Sequence, residues 1–321
     1  NICIYNCFRG NTTFVTDSGV KTLLEKVGET ENVLCADGRW RPAKVSQFGR
    51  QDVFKITLMH WNGGKHGDYP IEVFATRNHR WILADGMETT ELRVGDKLLS
   101  TDFSKTRESE DMDAVRHGFV FGDGTLTKQN GASYAQVRLC GKKSELLDVL
   151  FPEFGRSYPE SYNGDPVVYC GRDNAHWKSV PVSNTPDYVA GFIRGLTLAD
   201  GYVNPSSGNI RIDTQNESLI QWIKENAGIA GYKVISEKVY NNETNYGKRS
   251  SPLHQILIGD GRGAMLRVES IEWAGEEDVF CVTEPVTGTF VLGNGQVTGN
   301  CSYMGVDSID AFVEALVISM S

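Results

Sequence analysis

A chain of 321 residues with 40% hydrophobic content is long enough to bury more than one core, so two domains are the natural expectation. No apolar run approaches membrane-spanning length and the first residues lack the cationic stretch of a secretory signal, which predicts a cytoplasmic protein. The seven cysteines are odd in number and scattered, without a Cys-x-x-Cys pair, which argues against both a disulfide framework and a structural zinc. A net charge of -9 speaks against a nucleic-acid partner for the chain as a whole, yet residues 112–262 carry 16 basic and 16 acidic residues. The acidic excess therefore lies outside a neutral middle segment whose basic strands can still meet phosphate.

In chain order, Cys7 comes first, directly after an Asn, in Tyr-Asn-Cys-Phe-Arg-Gly. Residues 13–100 then alternate short apolar runs with turn signals: Thr13-Phe-Val-Thr before Asp17-Ser-Gly, Val33-Leu-Cys-Ala before Asp37-Gly, Phe54-Lys-Ile-Thr-Leu before Asn62-Gly-Gly, and Trp81-Ile-Leu-Ala before Asp85-Gly. This spacing predicts an all-β domain. Within it, Val20 to Val27 reads as one or two amphipathic helical turns, and the charged stretch from Asp102 to Asp111 reads as a linker.

From Met112 the chain becomes helices followed by strands, and does so twice. Gly118-Phe-Val-Phe-Gly-Asp-Gly, the strand 133–139 and a helical Lys143 to Leu150 are echoed by Gly191-Phe-Ile-Arg-Gly-Leu-Thr-Leu-Ala-Asp-Gly, the strand 209–213 and a helical Glu217 to Lys224. Glycines one turn apart at 118 and 122, and at 191 and 195, predict two helices in close backbone contact. Asp123 and Asp200 then end side by side, and two carboxylates there can hold Mg²⁺ for phosphodiester hydrolysis. Asp-Gly is also a common turn; its repetition at matched positions favours the metal. The strands would lay Tyr134, Gln136, Arg138 and Arg211 against DNA grooves.

After Gly263 short β runs return at 265–271, 279–283 and 289–292, so the first domain is split by the helix-rich insertion. Gly295-Gln-Val-Thr-Gly-Asn-Cys follows, and Ser308 to Met320 has helical periodicity. The carboxamide of Asn300 can attack its own main-chain carbonyl, closing a succinimide and releasing Cys301. Cys7 supplies a second thiol far upstream. Each cysteine is equally a plausible buried hydrophobe, but two Asn-Cys junctions bracketing a split domain make that coincidence hard to sustain.

With Cys7, Thr76-Arg-Asn-His79, Val279 to Thr283 and Val297 to Cys301 in that order, the chain resembles an intein over residues 7–300. The repeat resembles the LAGLIDADG homing endonuclease lodged inside many inteins. The resemblance implies an all-β splicing domain of the horseshoe-like Hint type, built from residues 7–104 and 263–300. An α+β endonuclease domain of two pseudo-symmetric halves, residues 105–262, interrupts it. Residues 1–6 and 301–321 would be host segments in cis, and joined they resemble the active-site neighbourhood of a ribonucleotide reductase.

The chemistry implied has four steps. Cys7 turns the Asn6 peptide into a thioester, with Thr76 orienting the bond and His79 as general acid; Cys301 takes over the acyl group; Asn300 cyclises; and the thioester rearranges to a peptide. Splicing needs no cofactor. The endonuclease would need Mg²⁺, act as a monomer and take as its partner double-stranded DNA, the host gene lacking the insertion.

Three residues depart from the family pattern. Gly299 and Gly288 stand where inteins commonly carry histidines that assist the C-terminal step, so a distant His, a water chain or His79 must serve instead and the Asn300 step is expected to be slow. Cys281 stands where many inteins carry Asp. With Trp81 and Thr298 it matches inteins whose internal Cys takes the acyl group, so it is either a base or positioning group in the ordinary route, the reading preferred here, or a branch-point nucleophile. Rival readings are a stand-alone endonuclease with a splicing-inactive β domain, a hedgehog-type self-processing domain, and a reductase fragment carrying a dead insert.

Overall fold

A computed structural model describes residues 7–62, 65–101, 111–240, 243–244, 247–248, 251–260 and 265–300. Its largest element is an eight-stranded sheet drawing on both sides of the middle segment. In spatial order the strands are Gly19–Thr22, Thr13–Thr16, Thr30–Leu34, Trp40–Asn62, Lys65–Thr76, Phe8–Arg9, Met265–Thr283 and Lys97–Leu98. Met265–Thr283 also pairs antiparallel with Trp40–Asn62 over most of its length. A four-stranded sheet of Thr289–Val291, Val297–Gly299, Trp81–Ile82 and Glu88–Thr89 completes this part. Thr298 pairs with Trp81 there.

Two sequence expectations are corrected here. Val20 to Val27 is not helical: Gly19–Thr22 is a strand and only Leu24–Lys26 forms a 3₁₀ turn. Val20 lies opposite Val15 across a hairpin whose Gly19 has φ +112°, and the buried β-branched pair outweighs the helical periodicity. The runs 265–271 and 279–283 are one continuous strand, with register shifts at Val268/Ser270, Trp273/Gly275 and Asp278/Phe280. Those irregularities break the two-residue alternation from which strands are read in sequence.

The middle segment folds as two similar units. In the first, the helix Met112–Asp123 leads to a sheet ordered Gly124–Gln129, Ala132–Arg138, Val167–Gly171, Gly155–Ser157. In the second, the helix Pro186–Asp200 leads to a sheet ordered Tyr202–Val203, Ile210–Thr214, Leu253–Asp260, Tyr232–Tyr240. Asp111 caps the first helix by accepting from Ala114 N, and Pro186 opens the second at a position where a missing N–H is harmless. The helix expected at 143–150 is a 3₁₀ run, Gly141–Leu146, ending in one α turn, Leu147–Leu150. Its counterpart is a full helix, Glu217–Asn226, capped by Asn216.

The two long helices touch through their glycines. A Cβ on Gly118 would overlap the backbone of Phe192 and Leu196, and one on Gly195 the backbone of Val115 and Phe119. No side chain larger than hydrogen fits at this crossing. A buried histidine locks it: His117 Nδ1 pairs with Tyr188 Oη at 2.7 Å and Nε2 with the Ser179 carbonyl at 2.9 Å.

Three apolar clusters hold the chain together. One fills the large sheet around Cys7, Phe8, Trp81, Cys281 and Phe290. One lies in the first unit around Phe119, Val137 and Phe151. The third joins Val15, Val20, Leu34, Ile82, Val291 and Val297 of the β part to Val189, Phe192, Leu196, Ile223 and Ile258 of the second unit. Asn184 clasps the same contact, accepting from Val20 N at 3.1 Å and donating to Val20 O at 2.9 Å, as a strand neighbour would. The second unit is thus fused by packing to the β part.

Candidate functional site

The junction residues converge inside the large-sheet cluster. Cys7 is fully buried, and its N–H donates to Thr76 Oγ1 at 3.1 Å while Thr76 N donates to Cys7 O at 2.9 Å. The Thr76 hydroxyl thereby sits on the nitrogen that would leave when the Asn6–Cys7 bond is attacked. His79 follows one turn later, fully buried, with its N–H on Thr76 O at 3.1 Å and its ring 4.1 Å from that of Phe8 and 4.7 Å from that of Trp81.

The imidazole reaches the opposite junction: His79 Nε2 and Thr298 Oγ1 are 2.7 Å apart. Two residues on, Asn300 N donates to Gly288 O at 2.8 Å and Asn300 Nδ2 to Glu284 O at 2.5 Å. The carboxamide nitrogen of Asn300 is therefore held in a fixed orientation. Burial opposes ionisation of Glu284, but hydrogen bonds from the Thr287 hydroxyl and the N–H groups of Val286, Thr287 and Gly288 outweigh it and hold the carboxyl below its usual range. Its charge pins the 284–288 turn whose carbonyls receive Asn300.

Cys281 belongs to the same cluster. The register pairing Phe8 with Phe280 and Arg9 with Val279 brings Cys7, one residue further along, level with Cys281. Cys301 lies outside the described residues, as do both expected host segments.

At the two departures, a single side chain occupies the space. A Cβ on Gly299 would meet Arg80 O at 2.8 Å and Arg80 Cβ at 3.0 Å; a Cβ on Gly288, φ +65°, would meet Arg80 Nη2 at 2.8 Å and Asn300 Oδ1 at 3.5 Å. Sequence reasoning passed over Arg80, although it follows His79 directly. It also missed Glu284, whose contribution comes through its backbone oxygen and a local turn.

The second group lies at the end of the helix pair. Asp123 and Asp200 terminate their helices side by side, with Asp200 Oδ2 3.3 Å from where a Cβ on Gly122 would sit. Burial pushes the Asp123 carboxyl above its usual range, Lys143 opposes the rise and the neighbouring Asp200 adds to it. Lys143 Nζ pairs with Asp123 Oδ2 at 2.5 Å. Lys178 Nζ donates to Phe121 O at 2.5 Å; burial draws its ammonium below the ordinary value, while Asp200 and Asp123 both act to raise it. Among the described residues no cluster of three metal-ligating side chains exists. Two hard carboxylates, one of them already holding an ammonium, fit a hard divalent cation whose remaining ligands come from phosphate and water.

The expected DNA-facing residues divide. Tyr134 and Gln136 share the half-exposed face of their strand, opposite buried Ala135 and Val137. Arg138, on the same face, is committed within the protein, paired with Asp165 at 2.8 Å and stacked 4.3 Å above Tyr162. Arg211 is exposed, 3.2 Å from Asp213 and 5.2 Å from the Tyr202 ring.

A model described as a LAGLIDADG-like domain matches residues 187–264. Among solved structures, the Ssp DnaB mini-intein variant M86 is 10% identical, with 93% of this chain and 97% of that chain covered at a TM-score of 0.34. A DnaB intein from Synechocystis sp. PCC 6803 is 9% identical, with 92% and 98% covered at 0.30. I-DmoI in complex with DNA and Mn is 14% identical, with 46% and 89% covered at 0.30. Similarity at that level carries no argument about activity, which rests on the side chains.

Proposed function

We propose that the chain is a self-splicing intein carrying a DNA endonuclease, excising residues 7–300 and joining residues 1–6 to 301–321. The observation that carries this reading is the bridge made by His79: its backbone bonds to Thr76, whose hydroxyl holds the Cys7 nitrogen, and its ring bonds to Thr298, two residues before Asn300. One residue thus links both ends of the segment to be removed, through its backbone on one side and its ring on the other, within a site closed to water.

Cys7 Sγ attacks the Asn6 carbonyl, and His79, the side chain best suited to move protons near neutrality, protonates the departing Cys7 nitrogen. Cys301 accepts the acyl group, and Asn300 Nδ2, oriented by Glu284 O, closes the succinimide. Intact-mass analysis of freshly expressed chain, with Asn300→Ala as control, tests this. Masses of residues 7–300 and of the joined flanks are expected; an unchanged full-length chain would leave splicing without support.

A second route has its own observation, the register that sets Cys281 level with Cys7. Cys281→Ala separates the two: retained thioester and branched intermediate exclude the internal nucleophile.

For the endonuclease, support comes from the LAGLIDADG-like match over the second unit and from Asp123 and Asp200 meeting at the helix ends. Mg²⁺, when held by the two carboxylates, supplies Lewis-acid stabilisation of charge on phosphate oxygens. Lys143 and Lys178 place positive charge beside the acids, where a DNA backbone would approach, and Tyr134, Gln136 and Arg211 offer polar side chains to the grooves. The target is double-stranded DNA of the host gene without the insertion. Nicking of a plasmid bearing the joined host sequence, compared with an otherwise identical plasmid carrying the insertion, tests that choice.

A further inference from the structure

We infer that Arg80 supplies the assistance to Asn300 cyclisation that histidines at positions 288 and 299 would otherwise give; this rests on the splicing reading above. The two glycines are one feature. Each borders the same side chain, Gly299 through Arg80 O and Cβ and Gly288 through Arg80 Nη2, so the arginine fills the volume that side chains at both positions would need. A histidine at 299 would collide with the Arg80 carbonyl at 2.8 Å, which moving the arginine side chain would not relieve. A residue at 288 would have to tolerate φ +65°.

The guanidinium shares a partner with the reacting residue. Nη2 donates to the carbonyl of Gly288, the oxygen that also receives Asn300 N–H, and Nη1 is steadied by Glu88 at 3.1 Å. Arg80 Nη2 and Asn300 Oδ1 lie 2.8 and 3.5 Å from one and the same point beside Gly288. Arg80 Nε is buried and makes no hydrogen bond among the described residues, leaving a desolvated donor next to Gly299.

The chemistry follows from these positions. Asn300 Nδ2 bonds to the Asn300 main-chain carbon, the bond from that carbon to the Cys301 nitrogen breaks, and the proton lost by Nδ2 ends on that nitrogen. No outside reactant is needed. As Nδ2, oriented by Glu284 O, attacks and its proton passes to the Cys301 nitrogen, negative charge builds on Oδ1 and on the attacked carbonyl oxygen. A guanidinium keeps its charge over the whole accessible pH range, so it stabilises that charge without itself exchanging a proton. The C-terminal step then needs no histidine of its own.

The test isolates that step in the full chain with Cys7→Ala, where release of residues 301–321 reports Asn300 cyclisation alone. Arg80→Gln is expected to slow release about 100-fold, the usual effect of removing one oxyanion-directed donor. Arg80→Lys should retain part of the rate, and free guanidinium ion at millimolar concentration should restore part of it to Arg80→Ala. In an Asn300→Ala chain, the same Arg80→Gln change should leave thiol-induced cleavage at Cys7 within about 3-fold, far below that 100-fold loss. Equal release with and without Arg80, or a loss that neither lysine nor guanidinium moves, overturns the inference. Absence of release from Cys7→Ala with Arg80 intact would instead count against the splicing reading itself.

Discussion

The junction centre and the acid pair differ in what completes them. Cys7, Thr76, His79, Thr298 and Asn300 are all at or below 3% exposure, and on the splicing reading the scissile groups are part of the chain. Asp123 is only partly buried, Asp200 is exposed, and a lysine sits on one of them. An intramolecular reaction can be sealed and pre-oriented during folding, because its substrate is already inside. A site for DNA and a metal must stay open and keep its charges balanced until they arrive.

The largest effects should be reciprocal losses. Asn300→Ala is expected to abolish release of residues 301–321 while leaving plasmid nicking intact, and Asp200→Asn to abolish nicking while splicing proceeds. Intact mass and a supercoiled-plasmid gel read both, and a variant that loses both activities would break the separation of the centres.

The next effect tests how far that separation goes. Replacing residues 102–264 by a short turn uncovers Val15, Val20, Ile82, Val291 and Val297, which pack against the second unit. Re-exposing such a patch removes roughly 5 kcal/mol of burial, so the trimmed chain should melt well below the parent and splice poorly. Normal melting of the trimmed chain would mean that the fused interface contributes little.

A smaller effect belongs to the helix crossing under the acids. Burial holds His117 down to about 4 against an ordinary value of 6.5. Because the folded form binds its proton less readily than the unfolded one, stability is intact above pH 6.5 and falls as pH drops toward 4, by on the order of 2–3 kcal/mol. Thermal melts across that window should show the loss, and His117→Gln should flatten it.

The smallest expected change is at Asp123. Lys143 holds its raised carboxyl partly in check, so Lys143→Met should move the acid limb of the nicking profile to higher pH. A limb that moves down, or stays, would show that Lys143 is no partner of the carboxyl during cleavage.

That Cys7, His79 and Asn300 belong together was legible because the proposed chemistry admits few residue types: a thiol, an imidazole and a carboxamide stand in a characteristic order. The helix crossing was legible for a steric reason, since only glycine allows backbone to meet backbone at 118 and 195. Where local pattern and packing competed, as at Val20 in its hairpin, the sequence pattern misled.

Linear order and residue chemistry, then, sufficed for the repeat and for the β strands on both sides of it, because these are properties of spacing and side-chain type. Only the tertiary structure could decide what stands beside them: Lys143 on Asp123, Asn184 on the backbone of Val20, and Arg80 in the space of two absent side chains. Asn184 and Val20 are far apart in the chain, and the space left by Gly288 and Gly299 is filled by Arg80 from the connection ahead of Trp81–Ile82. Nothing in a one-dimensional pattern carries such proximity, which arises when sheets close and helices cross.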